Sequence, residues 1–217
     1  METSYTYRTC RSDNLIDATQ NLDAFTETSG LLSVVASNII KLSQDLRFLS
    51  SGPNGGIGEI SLAKRQDGST IMPGKVNPVI VENMIQIGQR VLSNDQLIKQ
   101  TVTMGNTELN AFMPLIAETL LESLKLLIKG IRKFRTLVID TIVVNTDRCL
   151  HNLNQSHSII IPLIDIIGYE QAADIVKEAG VNNLSIRQVL LKHKMFTEEE
   201  LATLLSLKQC THPRQRR

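Results

Sequence analysis

Apolar residues recur at helical spacing through three long stretches, and this limits the chain to an all-α architecture. Leu31, Leu32, Val35, Ile39, Leu42, Leu46 and Leu49 follow three- and four-residue steps, predicting a helix from about Asp23 to Leu49 that ends before Ser50. Asn77 followed by Pro78 reads as an N-cap and a first helical position. Val79, Ile80, Met84, Ile87, Val91 and Leu92 then continue the period to about Met104. Gly105 and Asn106 break it. Asn110 and Pro114 mark the start of a third run, through Leu115, Ile116, Leu120, Leu121, Leu124, Leu127, Ile128, Ile131 and Phe134, expected to reach Val144. Helices this long, apolar over more than one face, exceed what 217 residues need for their own core. They imply a bundle completed by other chains.

After Asn145 the predicted elements shorten: a helix over about Thr146 to Asn154, one over Tyr169 to Ala179, and two opened by the capping boxes Ser185 to Gln188 and Thr197 to Glu200. The expected organisation is an unpatterned segment 1–13, a helical-bundle part 14–144, a small helical domain 145–206 and a solvated basic tail 207–217. Composition narrows the function classes. Lys plus Arg number 23 against 22 Asp plus Glu, giving a net charge of +1, so no global field draws a nucleic acid or an anionic membrane. Aromatic content of 4% without Trp suits a Leu- and Ile-packed bundle better than a base-stacking surface. The richest apolar run, Ile159 to Ile167, is too short to span a bilayer and is interrupted by Pro162 and Asp165. Cys10, Cys149 and Cys210 are odd in number and lack metal spacing, which fits a reducing cytoplasm. No metal or cofactor motif is visible. His151, His157, His193 and His212 read as surface or packing residues.

Chemistry concentrates in the one long loop, where six glycines fall from Gly52 to Gly74. Gly68-Ser-Thr-Ile-Met-Pro-Gly-Lys-Val-Asn77 presents a hydroxyl, a lysine and an asparagine just ahead of a predicted helix start. Free N–H groups and the positive dipole end there favour a carboxylate or phosphate. The lysine lacks the glycine and Ser/Thr spacing of a phosphate-binding P-loop, and Ser69 lacks the Gly-x-Ser-x-Gly setting of a nucleophile elbow. From these residues alone, a plain connector whose glycines only turn the chain stays open beside the anion site.

GSTIMPGKVNP resembles the signature loop of the aspartase/fumarase superfamily, written GSSxMPxKxNP. NLIDATQNLDAFTETSG, DLRFLSSGP, IGEISLAKRQ, VNPVIVE, TELNAFMP and IGYEQAADIVKEAG resemble successive family segments, so the likeness runs from about Asn14 to Leu205. DATQNLDAFTE, ISLAKRQ and VNPVIVE lean toward the bacterial aspartate ammonia-lyase branch. GIGE, the stretch Gly105 to Pro114 and IGYEQAA are equally fumarase-like.

The resemblance implies the following roles. Ser69 is the general base that takes a proton from the carbon beside a carboxylate. Thr70, Lys75 and Asn77 hold substrate carboxylates, and Glu82 supports a charge relay, although a carboxylate one turn into a helix also complements the local dipole. A C–H beside a carboxylate is very weakly acidic, so its removal needs the doubly charged aci-carboxylate to be neutralised as it forms. Serine is a poor base unless neighbouring cations and N–H groups lower the cost of its alkoxide. The expected reaction is anti elimination of ammonia from L-aspartate to give fumarate, without a cofactor. The alternatives are fumarate hydratase, or a non-catalytic fragment that associates with full-length subunits. Two departures qualify this. Thr70 stands where the family has a second serine, and its methyl stiffens the loop. Family subunits are about twice as long and assemble as tetramers with composite sites, so the resemblance implies a carboxy-terminal part whose partner is a second copy or a missing amino-terminal half.

Overall fold

The computed structural model describes residues 10–206 except 53 and 67. The basic-tail expectation at 207–217, with Cys210 and His212, therefore lies outside the described residues, as does most of segment 1–13. The chain forms two compact units, divided between Val144 and Asn145.

The first unit opens with α1 (Leu15–Gln20), a short helix absent from the sequence reading. Its existence rests on Asn14, whose side-chain oxygen accepts from the amides of Ile16 and Asp17 at 3.1 and 3.2 Å. Helix α2 (Asp23–Leu49) follows the apolar period to its end. The long loop contains β1 (Ile60–Ser61) and leads into α3 (Val79–Val102). A tight connection then gives α4 (Met113–Leu137), a 3-10 turn (Ile139–Thr141) and β2 (Val143–Val144). β2 pairs antiparallel with β1 in the register Ile60 opposite Val144. The third helix is thus shorter than expected. From Val138 the chain is dense in β-branched residues, which lose side-chain freedom in a helix and pack well in an extended strand, and β1 offers that strand a partner.

Contacts fix the helix directions. Ser29 meets Asp95 while Arg47 meets Glu82, so α2 and α3 run antiparallel. Arg90 pairs with Glu122 and Asn94 reaches Thr119, so α3 and α4 do too. Ala36, Leu46, Val81, Met84, Val91, Leu127, Phe134 and Val138 form the main buried cluster. Gly88 allows α2 and α3 to approach closely, since a Cβ there would sit 2.5 Å from Ile40. Polar side chains stitch the same seams. Buried Asn94 donates to Glu122 at 2.8 Å and Ser123 at 3.0 Å. Asn110 ties the connection between α3 and α4, donating to the Val102 carbonyl at 3.2 Å and accepting from the Phe112 amide at 2.9 Å.

The second unit comprises α5 (Thr146–Gln155), a 3-10 segment (His157–Leu163), α6 (Ile164–Ile167), α7 (Tyr169–Asn182), α8 (Ile186–Lys192) and α9 (Glu198–Leu204). Pro162 cannot donate a backbone N–H and sits within the 3-10 segment. Gly168, at φ 81°, turns the chain from α6 into α7. Both capping boxes form, Ser185 with Gln188 and Thr197 with Glu200. Ile159, Leu163, Ile175, Ile186, Val189, Leu190 and Leu201 lie in a core of their own.

Candidate functional site

Loop 68–77 is closed into a hairpin by two hydrogen bonds across its base. The Gly68 amide donates to the Lys75 carbonyl at 3.1 Å, and the Asn77 side-chain amide donates to the Gly68 carbonyl at 3.0 Å. The sequence dictates both features. A Cβ on residue 68 would lie 2.3 Å from the Lys75 oxygen, so only glycine permits this closure. Gly74, at φ 79°, supplies the left-handed turn that brings Lys75 back.

This corrects the reading of Asn77 as an N-cap. Helix α3 begins one residue later, at Val79, and makes no side-chain cap bond. Asn77 faces backward and holds the loop instead. A neutral hydrogen bond of this kind is worth about 1 kcal/mol.

Inside the hairpin, Ser69 is half-buried and its Oγ accepts from the amides of Ile71 and Met72, each at 3.2 Å. Two N–H dipoles aimed at one hydroxyl oxygen favour its ionised form. Thr70 and Lys75 are exposed on the same loop. Ile71 is 92% exposed and Met72 54% exposed, so the tip carries apolar surface with nothing from the described residues covering it. Ser69, Thr70, Lys75 and Asn77 are thereby gathered on one hairpin directly ahead of α3. Glu82 lies in the first turn of α3, outside the hairpin, and its carboxylate pairs with Arg47 of α2 at 3.6 Å. That partner accounts for the charge beyond the dipole effect.

Sequence reasoning passed over two arginines. Arg47 closes α2 and holds Glu82. Arg65, four residues ahead of Ser69, donates from Nη2 to the Leu137 carbonyl at 2.7 Å and approaches Thr141 Oγ1 at 3.4 Å. The only signal for Arg65 was a cation beside the loop. Its acceptors lie more than seventy positions away, beyond the reach of local pattern. His193, read as a surface or packing residue, is half-exposed and sits 2.7 Å from Glu178 in the second unit. Among the described residues no three His, Cys, Asp or Glu side chains group to hold a metal ion, and no helix is long and apolar enough to cross a membrane.

Comparison with known proteins gives two family matches: Lyase over residues 4–93, and Fumarase C C-terminus over residues 159–212. An aspartate ammonia-lyase of Bacillus subtilis is 41% identical over 202 residues, covering 93% of this chain and 42% of that protein. A class II fumarate hydratase of Corynebacterium efficiens is also 41% identical, over 87% of this chain and 41% of that protein. Among solved structures, the cobalt-bound fumarate lyase:delta crystallin of Brucella melitensis aligns with a TM-score of 0.86 at 36% identity, covering 93% of this chain and 44% of that one. The chain spans about two fifths of the length of the relatives it matches.

Proposed function

Because this chain belongs to the aspartase/fumarase superfamily, we propose that it is the carboxy-terminal part of an aspartate ammonia-lyase and supplies that enzyme's general base, Ser69. The observation that carries this reading is the closed hairpin in which two backbone amides point at the Ser69 oxygen.

In the proposed reaction Ser69, as its alkoxide, takes a proton from C3 of L-aspartate, next to the side-chain carboxylate. The C–H electron pair moves first into the aci-carboxylate and then forms the C2–C3 double bond as the C–N bond breaks and ammonia leaves. The Ile71 and Met72 amides offset the cost of the alkoxide. Lys75 and the α3 start neutralise the second charge that builds on the carboxylate, the second N–H of Asn77 donates to it while the first holds Gly68, and Thr70 contributes its hydroxyl to substrate binding. Glu82 supports the relay through its place in the first turn of α3. The ammonium of aspartate leaves without needing a general acid, whereas the hydroxyl of malate needs one. We infer that the remaining site residues come from an amino-terminal half or from other copies in a cytoplasmic homotetramer.

Fumarate hydratase is the second reading, favoured by the equal identity to the Corynebacterium relative. The non-catalytic reading draws on the exposed apolar faces of the long helices, such as Leu31 at 64% and Phe48 at 64%, which suit a piece that only joins full-length subunits. One assay separates all three. Fumarate release is followed by ultraviolet absorbance, from aspartate and from malate, with the chain alone and mixed with the amino-terminal half of the Bacillus relative. The ammonia-lyase reading expects turnover of aspartate in the mixture, lowered about 10²–10⁴-fold by Ser69→Ala with assembly intact. Turnover of malate alone selects the hydratase. No turnover of either, with both parts folded, leaves the associating fragment.

A further inference from the structure

The loop that carries Ser69 is tied to the rest of its unit on its amino-terminal side as well as through α3. β1 pairs with β2 at Ile60–Ser61, and four residues later Arg65 reaches the end of α4. Leu137, the last residue of α4, has a carbonyl with no acceptor role left inside the helix. The Thr141 hydroxyl already donates to that oxygen at 3.0 Å, and the guanidinium adds a charged donor at 2.7 Å that complements the negative end of the helix dipole. Arg65 and Asn77 line one small cleft together with Leu62, Pro78, Ile80 and Leu137. The hairpin and its approach are therefore held at the same place: Asn77 binds arm to arm, and Arg65, three residues ahead of Gly68, binds the entering chain to α4.

We propose that Arg65 is a positioning residue for the base, fixing the hairpin of Ser69 to the carboxy-terminal end of α4. This rests on the reading of Ser69 as the base, but the anchoring can be tested without any turnover. Arg65 itself is exposed, so its removal leaves the buried clusters intact. Its effect falls on where the hairpin sits. Proton transfer from carbon is sensitive to such placement, because displacing a reacting group by about 1 Å costs up to about a hundredfold in rate. The bond geometry also explains why arginine serves here. Both contacts come from the single Nη2, held by a planar and rigid guanidinium, whereas an ammonium on a flexible stem fixes its acceptors less firmly.

The test uses the full chain and the variants Arg65→Ala and Arg65→Lys. Trypsin cleavage after the exposed Lys75 reports hairpin opening, and the unfolding midpoint reports global stability. Arg65→Ala is expected to speed cleavage after Lys75 about tenfold, with Arg65→Lys recovering most of the loss and the midpoint within about 2 °C of the parent. In the mixed enzyme, kcat for Arg65→Ala is expected to fall about tenfold while KM stays within about twofold. Unchanged cleavage after Lys75 overturns the proposal. So does a fall in the midpoint that speeds cleavage at every site alike. If the mixture has no turnover with either substrate, the ammonia-lyase reading fails, and the cleavage rates still decide whether Arg65 anchors the hairpin.

Discussion

Residues 145–206 bury almost as many apolar side chains as the described part of 1–144, with less than half its length, and leave far fewer large ones exposed. Two of their short helices contrast with the long ones at the start as well. Helices α8 and α9 each carry a complete capping box, whereas α2, α3 and α4 start with no side-chain cap bond. A seven-residue helix has too few internal hydrogen bonds to offset its nucleation, so its ends must be satisfied locally. A helix of 24 to 27 residues draws its stability from packing along its length and tolerates frayed ends. The comparison teaches that the second unit is built to close on itself, while the first leaves long apolar faces exposed, such as Leu121 at 52% and Ile128 at 50%.

The sharpest way to break this comparison is a core deletion in the self-closing unit. Leu190 is fully buried, and Leu190→Ala is expected to cost the second unit about 3 kcal/mol. Calorimetry should then show a lowered transition for residues 145–206 with the first unit's transition unmoved. A joint shift would mean that the two units unfold together.

A smaller effect is expected at the buried polar seam of the first unit. Asp95 is 6% exposed and accepts from Ser29 at 2.8 Å and Lys99 at 2.7 Å. Burial pushes its carboxyl up, yet the hydrogen bonds from Lys99 and Ser29, the Lys99 charge and a further bond from Ser33 outweigh it and hold the group below the usual range. A depressed folded-state value means stability that is present above the unfolded value of about 3.9 and is lost as pH falls through the folded one. Asp95→Asn should therefore cost about 2 kcal/mol at pH 7 and flatten the acid limb of the first unit's stability curve. An unchanged acid limb in urea titrations from pH 6 to pH 2.5 would assign that slope to other carboxylates.

The smallest effect tests the caps. Thr197→Ala removes the hydroxyl that accepts from the Glu200 amide at 3.3 Å, and about 1 kcal/mol should be lost from the second unit. Circular dichroism melts of this variant sharpen the contrast: a comparable loss on replacing Asn77, which caps no helix, would show that caps are not what separates the units.

Much of the fold was legible because its signals are local. The run from Leu31 to Leu49 carries its period to the residue where α2 ends, and Ser185 and Thr197 announce their helices through partners three residues away. What failed was local pattern contradicted from a distance. Val138 to Val144 reads as more helix until β1, more than eighty positions earlier, offers Val143 and Val144 a strand partner. Asn77 before Pro78 has the chemistry of a cap, but the Gly68 carbonyl claims its amide. Helix α1, only six residues long, is too short to show a period.

The candidate site divides along the same line. Sequence by itself determined the helical class, the residue types of the hairpin and their order, because glycine at 68 and 74 and a hydroxyl at 69 are properties of residues close together in the chain. Only the tertiary structure decided that Arg47 claims the charge of Glu82 and that Arg65 reaches the end of α4. Those outcomes depend on backbone direction and on carbonyls and charges brought together by folding, and neither hydrophobic period nor motif spacing encodes which distant partner arrives.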